Sequence, residues 1–264
     1  MYPSERHASI VARARAEGRV EVAGLARDLD VATETIRRDL TILERRGNLR
    51  RVHGGAVPVE RLGLEPSVRE REVVNTAAKD AIAAAALAAI GDVATIVLDG
   101  GTTTARLAAM LPTDREITVV THALPIASIV AVRPNVRLHL AGGHVRGRTL
   151  VAVGPWATQA LSRIKADVVI LGANGISREQ GVTTPDVAEA EVKAALAAAA
   201  RRVVVLADHS KIGRDELITV LPCEEIDTLI TDTEADAELI SEIEAAGVDV
   251  VRAPPTGTHA PPGR

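Results

Sequence analysis

The sequence predicts an α/β protein in two parts, a small N-terminal winged helix-turn-helix domain and a larger Rossmann-like domain on a mostly parallel sheet. Apolar runs such as "VATIVLDGG", "ITVVTH", "ADVVILGANG" and "RRVVVLADHS" alternate with helical stretches. That alternation marks strands buried on both faces by crossover helices. The first 57 residues lack it. They show three short helical patterns, a tight break before the last, and a Gly-containing hairpin sequence. At 264 residues and 47% hydrophobic, the chain has material for one large core or two smaller ones.

Charge divides along the same line. Residues 1–56 hold 11 Arg against 8 Asp and Glu, a net +3, while the remainder holds 20 basic against 27 acidic residues, a net −7. A basic head on an acidic body is expected if only the head meets a polyanion. With no Phe, one Trp and one Tyr, the chain has little with which to stack unpaired bases, so the nucleic acid implied is duplex. Cys223 is the only cysteine, which excludes an intramolecular disulfide and a cysteine-based zinc site within one chain. No export signal or membrane span is read from the chain, and a cytoplasmic protein without metal or cofactor is expected.

In the head, Ile10, Val11 and Ala14 face inward from a first helix that stops at Gly18, and "RVEV" reads as a very short strand. "AGLARDLD" and "VATETIRRDLTILERRG" are the next two helices. Ile36, Leu40 and Leu43 fall at i, i+4 and i+7, with Thr33 expected as N-cap. That stripe leaves Glu34, Thr35, Arg37 and Arg38 facing outward. Arg37 and Arg38 suit guanine edges or phosphates, and Thr33 and Thr35 suit phosphate or thymine contacts. "GNLRRVHGGAV" reads as a wing, whose Arg50, Arg51 and His53 would follow the DNA backbone or minor groove. The competing reading is a solvated helix laced with pairs such as Glu34 with Arg38.

Residues 58–72, "PVERLGLEPSVRERE", mix proline, glycine and charge and are expected as a linker; a body over 73–252 and a disordered tail over 253–264 follow. A long Ala-rich helix is expected from residue 73 to about 90. Ligands of parallel sheets bind at the carboxyl ends of the strands. In "LDGGTTTARLAAML" a strand ends at Asp99, and Gly101, Thr102, Thr103 and Thr104 open a helix whose amides and hydroxyls suit a phosphate. It is neither a Walker A loop nor a dinucleotide fingerprint.

"VVTHA", "LAGGHV", "ILGANGIS" and "VLADHSKIG" repeat the design, bringing in His122, Gly143, Asn174, Gly175, Asp208 and Lys211. Lys211 offers a point charge for phosphate, while Asp99, Asn174 and Asp208 suit sugar hydroxyls. Each such turn taken alone is also an ordinary capped strand-to-helix connection.

The head blocks "TIRRDL" and "HGGA", together with the body blocks "LDGGTTTARLAAML", "LAGGHVRGRTLVAVGPWA", "GANGISREQGVTTPDVAEAEVKAAL" and "VVVLADHSK", resemble the DeoR family of bacterial transcriptional regulators over roughly residues 1–252. The resemblance implies a repressor of a sugar-catabolism operon. Its sensor domain would be related in fold to ribose 5-phosphate isomerase, and a homo-oligomer would bind double-stranded operator DNA. Within the family, "GVTTPDVAEAEVKAAL" and "RRVVVLADHSKIG" resemble fructose-operon repressors, which implies fructose 1-phosphate or a related sugar phosphate as effector. Thr183, Glu189 and Lys193 enter the candidate effector set through these blocks. Gly100 and His122 depart from the Ser and Asn of many members.

The alternative is a sugar-phosphate isomerase or deaminase fused to a DNA-binding head. Glu189, Glu191 and Lys193 lie on the helix where the related isomerases carry a glutamate base, but "GANGISREQGVTTPD" lacks their lysine in a Gly-rich turn. Helical geometry sets Glu189 and Glu191 roughly 200° apart, so at most one faces the pocket. A DNA-binding protein without any ligand would leave the polar strand ends unexplained.

Overall fold

The computed structural model describes residues 3–45, 49–52, 54–58 and 65–255. Contacts divide the chain into two compact units, 1–65 and 66–264.

In the first unit, α1 (Pro3–Glu17), β1 (Val20–Glu21), α2 (Val22–Asp28) and α3 (Thr33–Arg45) precede the hairpin of β2 (Leu49–Val52) and β3 (Gly55–Pro58). Strand β1 pairs with the outer side of β3, giving an antiparallel order β1-β3-β2. Ile36, Leu40 and Leu43 bury one stripe of α3 against Ile10, Leu25 and Leu49. Each such side chain contributes about 1.5–3 kcal/mol when withdrawn from water.

The break between α2 and α3 turns on Asp30, in the left-handed region at φ 51, with Val31 N bonded back to Ala26 O at 3.1 Å. Asp tolerates that conformation better than most side chains. Thr35 N and Ile36 N both close on Ala32 O, so Thr33 is the first helical residue and not the expected cap.

The second unit opens with α4 (Val68–Glu72), α5 (Thr76–Ile90), β4 (Thr95–Leu98), α6 (Thr102–Met110), β5 (Ile117–Thr121), α7 (Leu124–Val130) and β6 (Val136–Leu140). A hairpin of β7 (His144–Val145) and β8 (Ala152–Val153) leads to α8 (Pro155–Leu161), β9 (Val168–Gly172), β10 (Gly175–Ser177), β11 (Gly181–Thr184) and α9 (Val187–Ala198). Strands β12 (Val203–Leu206), β13 (Ile218–Leu221) and β14 (Thr228–Asp232), then α10 (Ala237–Ala245) and β15 (Asp249–Ala253), complete it.

Seven strands form one sheet in the order β15-β14-β12-β9-β4-β5-β6. Every pairing in it is parallel, so all its carboxyl ends share one edge. Fully buried runs such as Val168, Val169, Ile170 and Leu171 of β9 show why the strands read as continuous apolar stretches.

Three expectations change. Part of the stretch read as linker is structured: Ser67 and Glu70 form a capping box that starts α4. The Ala-rich helix begins at Thr76, because Asn75 takes a left-handed conformation at φ 51 that breaks it from α4. Ala253, placed in the tail, ends β15 and is buried. The parallel pattern also conceals a small antiparallel sheet, β10-β11-β13, that interrupts the strand-helix alternation after β9. Residues 256–264 of the expected tail lie outside the described residues.

Candidate functional site

On α3 the apolar stripe leaves Thr33, Glu34, Arg37 and Arg38 exposed and Thr35 half-buried. Glu34 pairs with Arg37 at 3.2 Å rather than with Arg38, which has no ion-pair partner among the described residues. Arg51 ties the wing to the helix: its backbone N–H donates to Glu44 Oε1 at 3.0 Å and its Nη1 to Thr41 Oγ1 at 3.1 Å. Arg50 lies on β2, and His53 falls outside the described residues.

The helix is aimed by a buried cluster that the linear pattern does not announce. Asp39 accepts from Arg6 Nε at 2.6 Å and Nη2 at 3.2 Å, with His7 Nε2 at 2.8 Å. Burial pushes the Asp39 carboxyl up, but the bonds from Arg6 and His7 outweigh it and hold the group below its ordinary value. The cluster locks α1 to the inner face of α3 and leaves the outer face free for a groove.

In the second unit, the turn after β4 leads into the uncapped start of α6. Gly101 sits at φ 149, a conformation that favours glycine, and a Cβ on Gly100 would lie 2.2 Å from Val151 Cγ1. No side chain caps α6, so its first amides have no partner in the helix. Thr102, Thr103 and Thr104 are buried there. Thr104 Oγ1, fully withdrawn from water, has no hydrogen-bond partner among the described residues. A cavity of about 370 Å³ opens beside this turn; Gly101, Thr102, Arg106, Glu72 and Thr149 give it a polar side, and the rest of its lining is apolar, from Val68 of α4 and from α6 and α7.

Asp99 stands at the base of the same turn. Its carboxylate accepts from Gly172 N at 2.9 Å, contacts His122 Nε2 at 3.1 Å and pairs with Lys193 Nζ, which also donates to Gly172 O at 2.9 Å. His122 Nδ1 lies 2.8 Å from Ala152 O. Burial would raise the Asp99 carboxyl, but the Lys193 ammonium foremost, then His122, hold it well below the carboxylate range. An ionised, fully paired carboxylate is a poor proton acceptor, and general-base work needs a raised one. On α9, the Glu189 carboxylate is buried against Arg146 and Thr149 and its backbone N–H donates to the N-cap Asp186 Oδ1 at 2.9 Å, while Glu191 is exposed, as the helical period requires.

Other expected residues are committed to local structure. Thr183 donates to Gly175 O at 3.2 Å and accepts from Glu216 N at 2.9 Å. Asn174 Oδ1 accepts from Thr184. Gly143 lies on the turn between β6 and β7. Asp208 accepts from Ser210 and, at 2.9 Å, from Asn75 Nδ2. Lys211 follows on a half-buried turn. His209 Nδ1 lies 2.8 Å from Asp232 Oδ2, whose bond raises the imidazole's proton affinity.

Sequence reasoning missed Lys79, Arg106 and Arg146. Lys79 is 5% exposed and donates to Arg71 O at 2.5 Å and Val74 O at 2.6 Å. Burial lowers its ammonium to about 8. A signal was available: Lys79 shares the spacing of Ile82, Ala83, Ala86 and Ile90, the buried stripe of α5.

A helix-turn-helix with an exposed arginine face, joined to a ligand-type α/β unit, defines a DNA-binding transcriptional regulator. The chain matches the DeoR-like helix-turn-helix domain over residues 6–61 and the DeoR C terminal sensor domain over residues 74–233. It belongs to the DeoR family. The HTH-type transcriptional regulator GlpR of Haloferax volcanii is 39% identical over 251 residues, covering 95% of this chain and 98% of that one. FruR of Bacillus subtilis, an uncharacterized HTH-type transcriptional regulator, is 35% identical over 81% of this chain and 84% of its own length. Ribose 5-phosphate isomerase A of Methanocaldococcus jannaschii aligns at 17% identity over 50% of this chain and 52% of that chain, with a TM-score of 0.37. The full-length relatives are regulators, and the chain is a regulator and not an enzyme. No helix among the described residues is long and apolar enough to cross a membrane.

Proposed function

We propose that the protein is a cytoplasmic repressor of a sugar-catabolism operon, released from its operator by a phosphorylated sugar. The observation that carries the effector reading is Thr104 Oγ1, a buried hydroxyl without a partner at the uncapped start of α6. A native interior rarely leaves such a group unsatisfied, and a phosphate oxygen would satisfy it together with the amides of residues 102–104.

Thr102, Thr103 and Thr104 take the phosphate in this reading, and Lys211 supplies a further positive charge. Asp99, His122 and Lys193 shape the floor of the site, His122 and Lys193 each being already engaged with Asp99. Thr33, Thr35, Arg37, Arg38, Arg50 and Arg51 meet DNA, and two copies of the chain place two such helices on a two-fold operator.

Fluorescence anisotropy of the protein on its own upstream DNA, titrated with fructose 1-phosphate, fructose 1,6-bisphosphate and other sugar phosphates, tests the proposal. Release by one sugar at micromolar concentration supports it. Tight DNA binding that no sugar disturbs removes the effector half and leaves the DNA-binding half standing.

A further inference from the structure

Helix α4 has no buried residue. It therefore lacks the apolar anchor that holds the other helices of this unit, and its attachment is polar. At its start, Val68 N donates to Arg148 O at 3.0 Å. At its end, three carbonyls are held by two cations: Lys79 takes Arg71 O and Val74 O, and Arg106 Nη2 takes Glu72 O at 3.3 Å. Arg106 also pairs with the Glu72 carboxylate at 3.0 Å and with Asp80 at 2.7 Å, and its Nη1 donates to Thr102 O at 3.0 Å. One guanidinium thus joins α4 to the first turn of α6, and Glu72, Arg106 and Thr102 all line the same cavity.

We propose that the Arg106–Glu72 pair is the switch by which an anion in this cavity releases α4. The inference rests on the effector reading above. A phosphate brings more than one negative charge to a site where Arg106 is already shared between two carboxylates. It competes with Glu72 for the guanidinium and repels the Glu72 carboxylate. Glu72, half-exposed, has water to turn to, whereas Arg106 stays held by Asp80 and Thr102 O. With the Glu72 carboxylate displaced, the end of α4 loses its ion pair and keeps the Lys79 bonds and the 3.3 Å bond from Arg106 to Glu72 O. In the chain, α4 directly follows the DNA-binding unit and its connection, so loosening α4 changes the tether through which that unit is held.

The test combines amide hydrogen exchange of the full-length protein, with and without fructose 1-phosphate or fructose 1,6-bisphosphate, with calorimetric binding of the same sugars. The expected result is faster exchange at residues 68–74 when the sugar is bound. Glu72→Gln should show that faster exchange without sugar, and should release operator DNA at a sugar concentration about threefold lower, the size of a partly exposed ion pair. Ligand-induced protection of residues 68–74 in the unsubstituted protein overturns the switch, with no variant needed. So does a Glu72→Gln protein that binds sugar and releases DNA as the original does. If neither sugar, nor any other in the panel, binds the original protein by calorimetry, the effector reading itself fails, and the switch with it.

Discussion

Lys193 on α9 places its ammonium on the carboxylate of Asp99 at the end of β4, ninety-four positions earlier in the chain, with 6% and 1% of the two side chains exposed. Their mutual attraction and the bonds from Gly172 and His122 offset the cost of withdrawing both charges from water. The pair fastens helix α9 to the turn that the effector reading depends on.

Removing one partner leaves a buried charge uncompensated. Asp99→Asn and Lys193→Met are each expected to cost about 3–5 kcal/mol in urea unfolding, while the double substitution recovers much of the loss. The folded Asp99 carboxyl lies below its ordinary value of 3.8, so its contribution is fully present above that pH and is lost as pH falls beneath it. The acid limb of the stability curve should therefore be shallower in Asp99→Asn. Equal losses without recovery in the double variant would refute the pairwise account.

Lys79 behaves in the opposite sense. Its folded value of about 8 lies below the ordinary 10.5, so between those values the unfolded chain binds more protons and stability rises with pH. The stability of the original protein relative to Lys79→Met should climb from pH 8 towards 10.5. A difference that stays flat across that window would mean that burial does not perturb this ammonium.

Thr104→Val exchanges an unsatisfied buried hydroxyl for a methyl of the same shape. Thermal unfolding without ligand should show unchanged or slightly greater stability, by up to about 1 kcal/mol, because nothing is left unpaired. Sugar-phosphate binding by calorimetry should weaken. Unaltered affinity would move the phosphate away from the start of α6.

On the head, Arg38→Ala should weaken operator binding by about 1–3 kcal/mol if the guanidinium reads a base edge, and should leave sugar binding unchanged. Anisotropy across a salt series separates the roles. A phosphate contact lowers the salt slope for every DNA sequence, and a base contact relaxes preference at one position. Full affinity in Arg38→Ala would remove this residue from the interface.

Much of this was legible in linear form because it rests on period and chain order. The i, i+4, i+7 stripe of Ile36, Leu40 and Leu43 fixes which face of α3 is free, and the single spacing between Glu189 and Glu191 already implies that one is buried and the other exposed. The less legible features are pairings across long separations. Asp39 looks like one more surface carboxylate on a charged helix until α1 brings Arg6 and His7 to it. Thr183 and Asn174 looked available for a ligand, but the small antiparallel sheet that engages Thr183 has no strand-helix signature to betray it.

By itself the sequence determined the two-part architecture, the arginine-bearing face of α3 and the set of polar turns at one edge of a parallel sheet, since each follows from local periodicity and from the shared direction of parallel strands. Only the tertiary structure decided which of those polar groups are already spent on one another and which remain open. His122 and Lys193 are both engaged by Asp99, Thr104 is left unpaired among the described residues, and Arg106 bridges α4 and α6. Hydrogen-bond capacity and charge compensation are properties of neighbours in space, and those neighbours come together only when the chain folds.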